Sequence, residues 1–190
     1  MKGSYICSTL VLALFVIICI VSGAPEYAVS VVGAITVHEL GHLLLARLLS
    51  VRLLKVSYTP IGIRMLYNFS GVGILGEILV YLGGPVIGFI SASALMLTGK
   101  ALNGAVKEFI LSSYTLSAIN LMPIKGFDGG NVIESILSVT FLPDKAFLYE
   151  KNISRVAVLL FWILTIYVEM KIDANISMLT LAVYLLYTSF

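Results

Sequence analysis

The apolar run at residues 28–49, AVSVVGAITVHELGHLLLARLL, decides the fold because it places ionisable side chains inside a stretch long enough to cross a bilayer. A transmembrane helix needs roughly 20 apolar residues. The run carries VHELGHL at 37–43, which holds the only two histidines of the chain. Helix positions four apart share a face, so the imidazoles of His38 and His42 can reach one ion while Glu39 projects beside it.

This HExxH spacing is typical of zinc peptidases, in which the histidines bind the metal and the glutamate takes a proton from the attacking water. A charged residue at the centre of a membrane helix costs about 2.5–3.5 kcal/mol on insertion scales. Three ionisable groups within five positions therefore need a favourable interaction that offsets this insertion cost. A zinc ion would supply it by binding the imidazoles and placing a positive charge beside the carboxylate. The alternative is that His38 and His42 are hydrogen-bonded packing residues with Glu39 as a buried partner.

Catalytic zinc usually has three protein ligands, so a third is required. The candidate is Asp128, in the stretch NLMPIKGFDGG at 120–130. Pro123 and Gly126 interrupt the helix before it, and the two glycines after it permit unusual dihedrals, so the carboxylate can turn inward. Without the histidine pair, the same residues would read as a loop that ends a helix, with a solvated aspartate.

The remaining sequence predicts one polytopic, all-α membrane domain over 1–190. The chain is 59% hydrophobic and only 12% charged, against roughly 25% charged in soluble domains. Six apolar runs predict six transmembrane helices, at 5–22, 28–49, 76–98, 105–124, 153–169 and 174–190. Cleavage of the first run as a signal peptide is an alternative. The formal net charge of +2, without a basic block, argues against nucleic acid as a partner.

The distribution of basic residues predicts the orientation of these helices. Nine of the twelve Lys and Arg fall at the N-terminus, in 47–64 and in 125–155, on one side of a six-span arrangement, against three elsewhere. The positive-inside rule then puts both termini in the cytoplasm of a multi-pass cell-membrane protein.

Two segments do not read as spans. In 61–70 the side chains alternate with a period of two, which together with 53–58 predicts a membrane-associated β-hairpin over 52–69. The stretch 131–139 is apolar but too short to cross, which favours an interfacial or re-entrant helix.

The two motifs together, HELGH at 38–42 and N-x-x-P-x-x-x-x-D-G at 120–129, resemble the site-2 proteases, in particular the compact bacterial kind that processes sporulation factors. The resemblance covers about 28–140 and implies a three-helix core with zinc below the membrane surface. It implies that Asn120 holds the substrate backbone. Leu82-Gly83-Gly84-Pro85 is similar to the Gly-Pro element of the family, but Gly88 stands where Asn is frequent, and no PDZ-like or nucleotide-sensing domain is present.

The predicted function is therefore an intramembrane zinc metalloendopeptidase that cuts peptide bonds in or near membrane segments. The expected partners are a membrane-protein or membrane-associated substrate, the lipid bilayer and a regulatory membrane protein. One alternative is a prenyl-protein-processing type, with Glu77 or Glu108 as third ligand, although Glu77 reads better as a marker of the membrane interface. The others are a catalytically inactive membrane scaffold and a metal transporter.

Overall fold

The described part of the chain is mostly helical and contains one two-stranded sheet. A computed structural model describes residues 17, 19–59, 62–98, 104–171 and 176–189. Its elements, in chain order, are α1 Pro25–Leu48, β1 Arg52–Thr59, β2 Gly62–Asn68, α2 Ile74–Leu97, α3 Gly104–Asn120, α4 Asp128–Thr140, α5 Pro143–Lys171 and α6 Ile176–Ser189. The predicted mostly helical architecture with a β-hairpin between the second and third apolar runs is confirmed.

Three of the described helices, α1, α2 and α5, are long and apolar enough to cross a membrane. The other described helices that match predicted spans are shorter, with 17 residues in α3 and 14 in α6. The first predicted span, 5–22, lies almost entirely outside the described residues. Six crossings and cytoplasmic termini therefore stay predictions.

Two helix boundaries differ from those of the predicted spans. Helix α5 begins at Pro143, well before the predicted span 153–169, because its first turns are charged and a hydropathy pattern detects only the apolar part. Proline is well tolerated in the first turn of a helix, where its missing N–H has no partner to lose. Helix α3 ends at Asn120 rather than at 124, since the residue before Pro123 is disfavoured from helical backbone angles.

The chain divides into two compact units, Met1–Ile119 and Asn120–Phe190. In the first unit, β1 and β2 pair antiparallel over the predicted 52–69 segment. One face of the hairpin packs through Tyr67, which is 8% exposed, against Ala46 of α1, Val80 of α2 and Val51, which lies between α1 and β1. One face of the hairpin thus lies against protein.

Helices α1 and α2 approach each other through glycine. A Cβ added at Gly83 would lie 2.7 Å from the carbonyl oxygen of Gly41, and one at Gly41 would lie 2.9 Å from the carbonyl carbon of Gly83. Small residues that let backbones touch are typical of membrane helix interfaces. This contact fixes the histidine-bearing turn of α1 against α2.

Candidate metal centre

The two histidines lie side by side on the buried face of α1, as their spacing predicts. His38 is 3% exposed and His42 is 6% exposed. Their Nε2 atoms are 3.3 Å apart and their rings meet edge to face, with centroids 5.0 Å apart. Two nitrogens bound to one tetrahedral zinc at about 2.1 Å would be separated by about 3.4 Å. The pair therefore fits two ligands of a single ion.

The orientation of the His42 ring is set by α2. Its Nδ1 lies 2.8 Å from the carbonyl oxygen of Val80, in a buried contact that only an Nδ1–H can make, because the carbonyl oxygen accepts. The proton on Nδ1 leaves the Nε2 lone pair for a metal. Carbonyl partners of this kind fix the tautomer and direction of metal-binding histidines.

Gly84 leaves the space that the His42 ring occupies. A Cβ at this position would lie 2.7 Å from Cδ2 and 2.8 Å from Cε1 of the ring, with Nε2 nearer still. Carbon atoms in contact normally lie about 3.5–4.0 Å apart. Any residue larger than glycine would displace the imidazole. The roles of Gly84 and Val80 at the metal centre were not predicted from the sequence. The Gly83-Gly84-Pro85 stretch pointed to this part of α2 only through its similarity to the Gly-Pro element of the family.

Glu39 follows His38 in the same turn of α1 and is half-buried. Its side chain thus has the position on the helix that the motif predicts, beside the imidazole pair.

The second motif lies in the second compact unit. Asp128 is the first residue of α4 and follows Phe127, the N-cap, whose backbone is extended. The turn beneath it is closed by Gly129 and Gly130, where a Cβ would collide with the carbonyl groups of Leu121 and Ile124. Carboxylates are favoured in the first turn of a helix, where the backbone N–H groups lack helical partners. Asn120, the last residue of α3, precedes this turn.

Lys125 fastens the loop that leads to Asp128 onto α5. Its backbone N–H donates to Ser154 Oγ at 3.0 Å, and its Nζ donates to Glu150 Oε2 at 2.9 Å. Nζ also lies 5.3 Å from the centroid of the Phe147 ring. Glu150 and Ser154 are 5% and 4% exposed, respectively. We call these three contacts the Lys125 clamp. The sequence did not predict it, because Phe147 and Glu150 lie in the first turns of α5, which the predicted span 153–169 does not include.

The three ligands predicted from the two motifs lie in both units, with His38 and His42 in the first and Asp128 in the second. That these three side chains hold one metal ion stays a prediction. Glu77, in the first turn of α2, and Glu108, in α3, are the third ligands of the alternative. The donor set of two imidazoles and one carboxylate is one that catalytic zinc uses.

Gly88, which replaces the Asn frequent in the family, is a packing residue here. A Cβ added to it would collide with Ser117 Oγ of α3, and Ser117 is fully buried. An asparagine side chain at this position would require the Ser117 side chain to move.

Comparison with known proteins confirms the predicted resemblance to the site-2 protease family. The chain has the fold of a site-2 protease from Methanocaldococcus jannaschii, with a TM-score of 0.70 at 20% identity over 97% of this chain and 85% of that one. It is also similar to a zinc metalloprotease of the same organism, 28% identical over 135 residues, or 64% of this chain. The chain spans 37% of the length of that relative. No protein-family model matches the chain.

Proposed function

We propose that this protein is an intramembrane zinc endopeptidase that hydrolyses peptide bonds in or near membrane-spanning segments of other proteins. The observation that carries the proposal is the pair of buried Nε2 atoms 3.3 Å apart on a helix apolar enough to span a membrane. Buried imidazoles in such a helix need a compensating partner. The zinc metalloprotease to which the chain is similar supports zinc as that partner.

The metal would be held by His38, His42 and Asp128. Bound zinc in such a site supplies Lewis-acid activation of water and of the peptide carbonyl. The Val80 carbonyl and the space at Gly84 keep the His42 ring in its ligating orientation. The Lys125 clamp and the turn at Gly129 and Gly130 keep Asp128, the first residue of α4, on a rigid support, as a metal ligand requires.

Glu39 would act as the general base. It would take the proton of the attacking water and later deliver it to the leaving amine, without being a metal ligand. Asn120 would hold the backbone of the substrate by amide hydrogen bonds. A peptide bond in a helix is shielded by its own hydrogen bonds, so the substrate must become extended first.

The hairpin would supply partners for the extended substrate. A two-stranded sheet has unpaired N–H and C=O groups along its outer edges, and a peptide can add to such an edge as a further strand. Proline introduced singly along β2, at Arg64, Met65, Leu66 and Tyr67, should impair cleavage in the variants whose N–H faces the open edge. Four folded, zinc-containing variants with the parental cleavage rate would show that the substrate does not pair there.

The Glu39→Gln variant tests the proposed chemistry. The amide keeps the size of the side chain but cannot accept the proton, so zinc content should stay parental while cleavage of a single-span substrate falls at least about 100-fold. The assay uses detergent-solubilised protein with and without a zinc chelator. Parental cleavage by Glu39→Gln would overturn the mechanism. Absence of chelator-sensitive cleavage by the parent with every single-span substrate would favour the scaffold or transporter.

A further inference from the structure

The hairpin has a second face, which is exposed and cationic. Residues paired across an antiparallel ladder point to the same side of the sheet. On β2 the side chains of Arg64, Leu66 and Asn68 are exposed, while the buried Tyr67 points to the protein core. The β1 residues paired with these exposed positions are Ser57, Lys55 and Arg52, in that order. We call this surface, formed by Arg52, Lys55, Ser57, Arg64, Leu66 and Asn68, the outer face.

A β-bulge gathers the positive charge of β1 onto the outer face. Arg52 and Lys55 are three positions apart, so a regular strand would point them to opposite sides. The register shifts between Leu53 and Lys55, which inserts Leu54 as an extra residue and returns Lys55 to the side of Arg52. Three cations thus share one face. Neither strand contains an acidic residue, and none of the three cations forms an ion pair with another described residue.

The position of the hairpin sets the height of this face relative to a bilayer. β1 begins four residues after the end of α1, and β2 ends six residues before the start of α2. Both helices are candidate membrane spans. When both helices span the bilayer, the hairpin connects their adjacent ends, which places it at the level of the headgroups. Leu54 and Leu66, 59% and 55% exposed, add the apolar contact that interfacial surfaces combine with Lys and Arg.

We propose that the outer face binds the headgroups of anionic phospholipids. Its charge is complementary to phosphate, Leu66 and the neighbouring exposed Leu54 are suited to the boundary of the acyl chains, and a connection between the ends of two spans lies where those groups occur. Each Lys or Arg near an anionic membrane surface increases the preference for anionic over neutral lipid on the order of fivefold. Three cations together therefore limit this preference to on the order of one hundredfold at low salt. Salt reduces it further by screening, because the side chains are exposed. This proposal does not depend on the peptidase activity.

Site-specific lipid quenching tests the proposal. Ser57, opposite Arg64 on the outer face, is replaced by cysteine in a Cys7→Ser, Cys19→Ser background and labelled with bimane. The full chain is reconstituted with brominated phosphatidylglycerol or brominated phosphatidylcholine. We expect the label to report at least a tenfold preference for phosphatidylglycerol, falling several-fold between low and high salt.

Two triple variants assign the preference to the outer face. The first triple variant carries Arg52→Gln, Lys55→Gln and Arg64→Gln. In this variant the ratio of quenching by brominated phosphatidylglycerol to quenching by brominated phosphatidylcholine should be close to one. The matched control, Lys107→Gln, Lys145→Gln, Lys151→Gln, removes the same charge from exposed positions elsewhere and should leave the ratio unchanged.

Three results would overturn the proposal. One is a salt-insensitive ratio near one in the parent, which needs no variant to fold. Another is an equal loss in the control triple. The third is a polyglutamate peptide that changes the emission of the label while the two lipids quench it equally, since that result would assign the face to an acidic protein segment.

Discussion

Replacement of Gly84 by alanine should separate the histidine pair from its metal. The added Cβ would lie 2.7 Å from His42 Cδ2 and 2.8 Å from Cε1. Restoring an ordinary contact of about 3.5–4.0 Å requires a shift of roughly 1 Å. Zinc–ligand distances tolerate only about 0.2 Å. The ring rather than the backbone should yield, because the Gly41–Gly83 contact keeps α1 and α2 together.

The displaced ring would lose both the Val80 carbonyl and the metal. Loss of an outer partner alone typically costs 10- to 100-fold in metal affinity, so we expect zinc affinity to fall at least about 100-fold. The assay is zinc retention against graded chelator, with thermal unfolding measured in parallel. Gly73→Ala is the control, since its Cβ meets nothing within 4 Å. A Gly84→Ala protein that retains zinc with parental affinity would refute the reasoning, even if it were less stable.

Two further predictions concern the second motif. Purified protein should contain about one zinc per chain. The Asp128→Asn variant should bind zinc much more weakly, because a neutral amide is a weaker ligand than a carboxylate. Stoichiometric, tightly held zinc in this variant would show that Asp128 is not a ligand. Lys125→Met should lower the free energy of unfolding by about 1.5–3 kcal/mol, because it leaves the buried Glu150 carboxylate without its charged donor. The control, Lys151→Met at an exposed position, should leave the free energy of unfolding nearly unchanged. Equal effects in the two variants would contradict the stabilising role of the Lys125 clamp.

The parts of the fold and of the candidate site that follow from a repeating spacing of residues along the chain could be predicted from the sequence. Four-residue spacing put His38 and His42 on one face of a helix, and alternation identified the hairpin. Both patterns depend on neighbours in the chain. The class of protein followed from combining two motifs, since HExxH alone occurs in several kinds of peptidase.

The supporting contacts could not be predicted because they join residues distant in sequence. The Val80 carbonyl has no side-chain signature, since every residue has a carbonyl. The ion pair between Lys125 and Glu150 joins residues 25 positions apart, and no local pattern indicates it. The bulge at Leu54 has no Gly or Pro to mark it, so simple alternation in β1 would have assigned Lys55 to the wrong face.

The backbone contact between Gly41 and Gly83 has a mechanical consequence. Helices that touch at bare backbone cannot rotate or slide past each other without collision of their carbonyl groups. We expect the two helices to move together, so that the His42 ring keeps the Val80 carbonyl as its partner. In the proposed peptidase, access for a substrate would then depend on other parts of the protein.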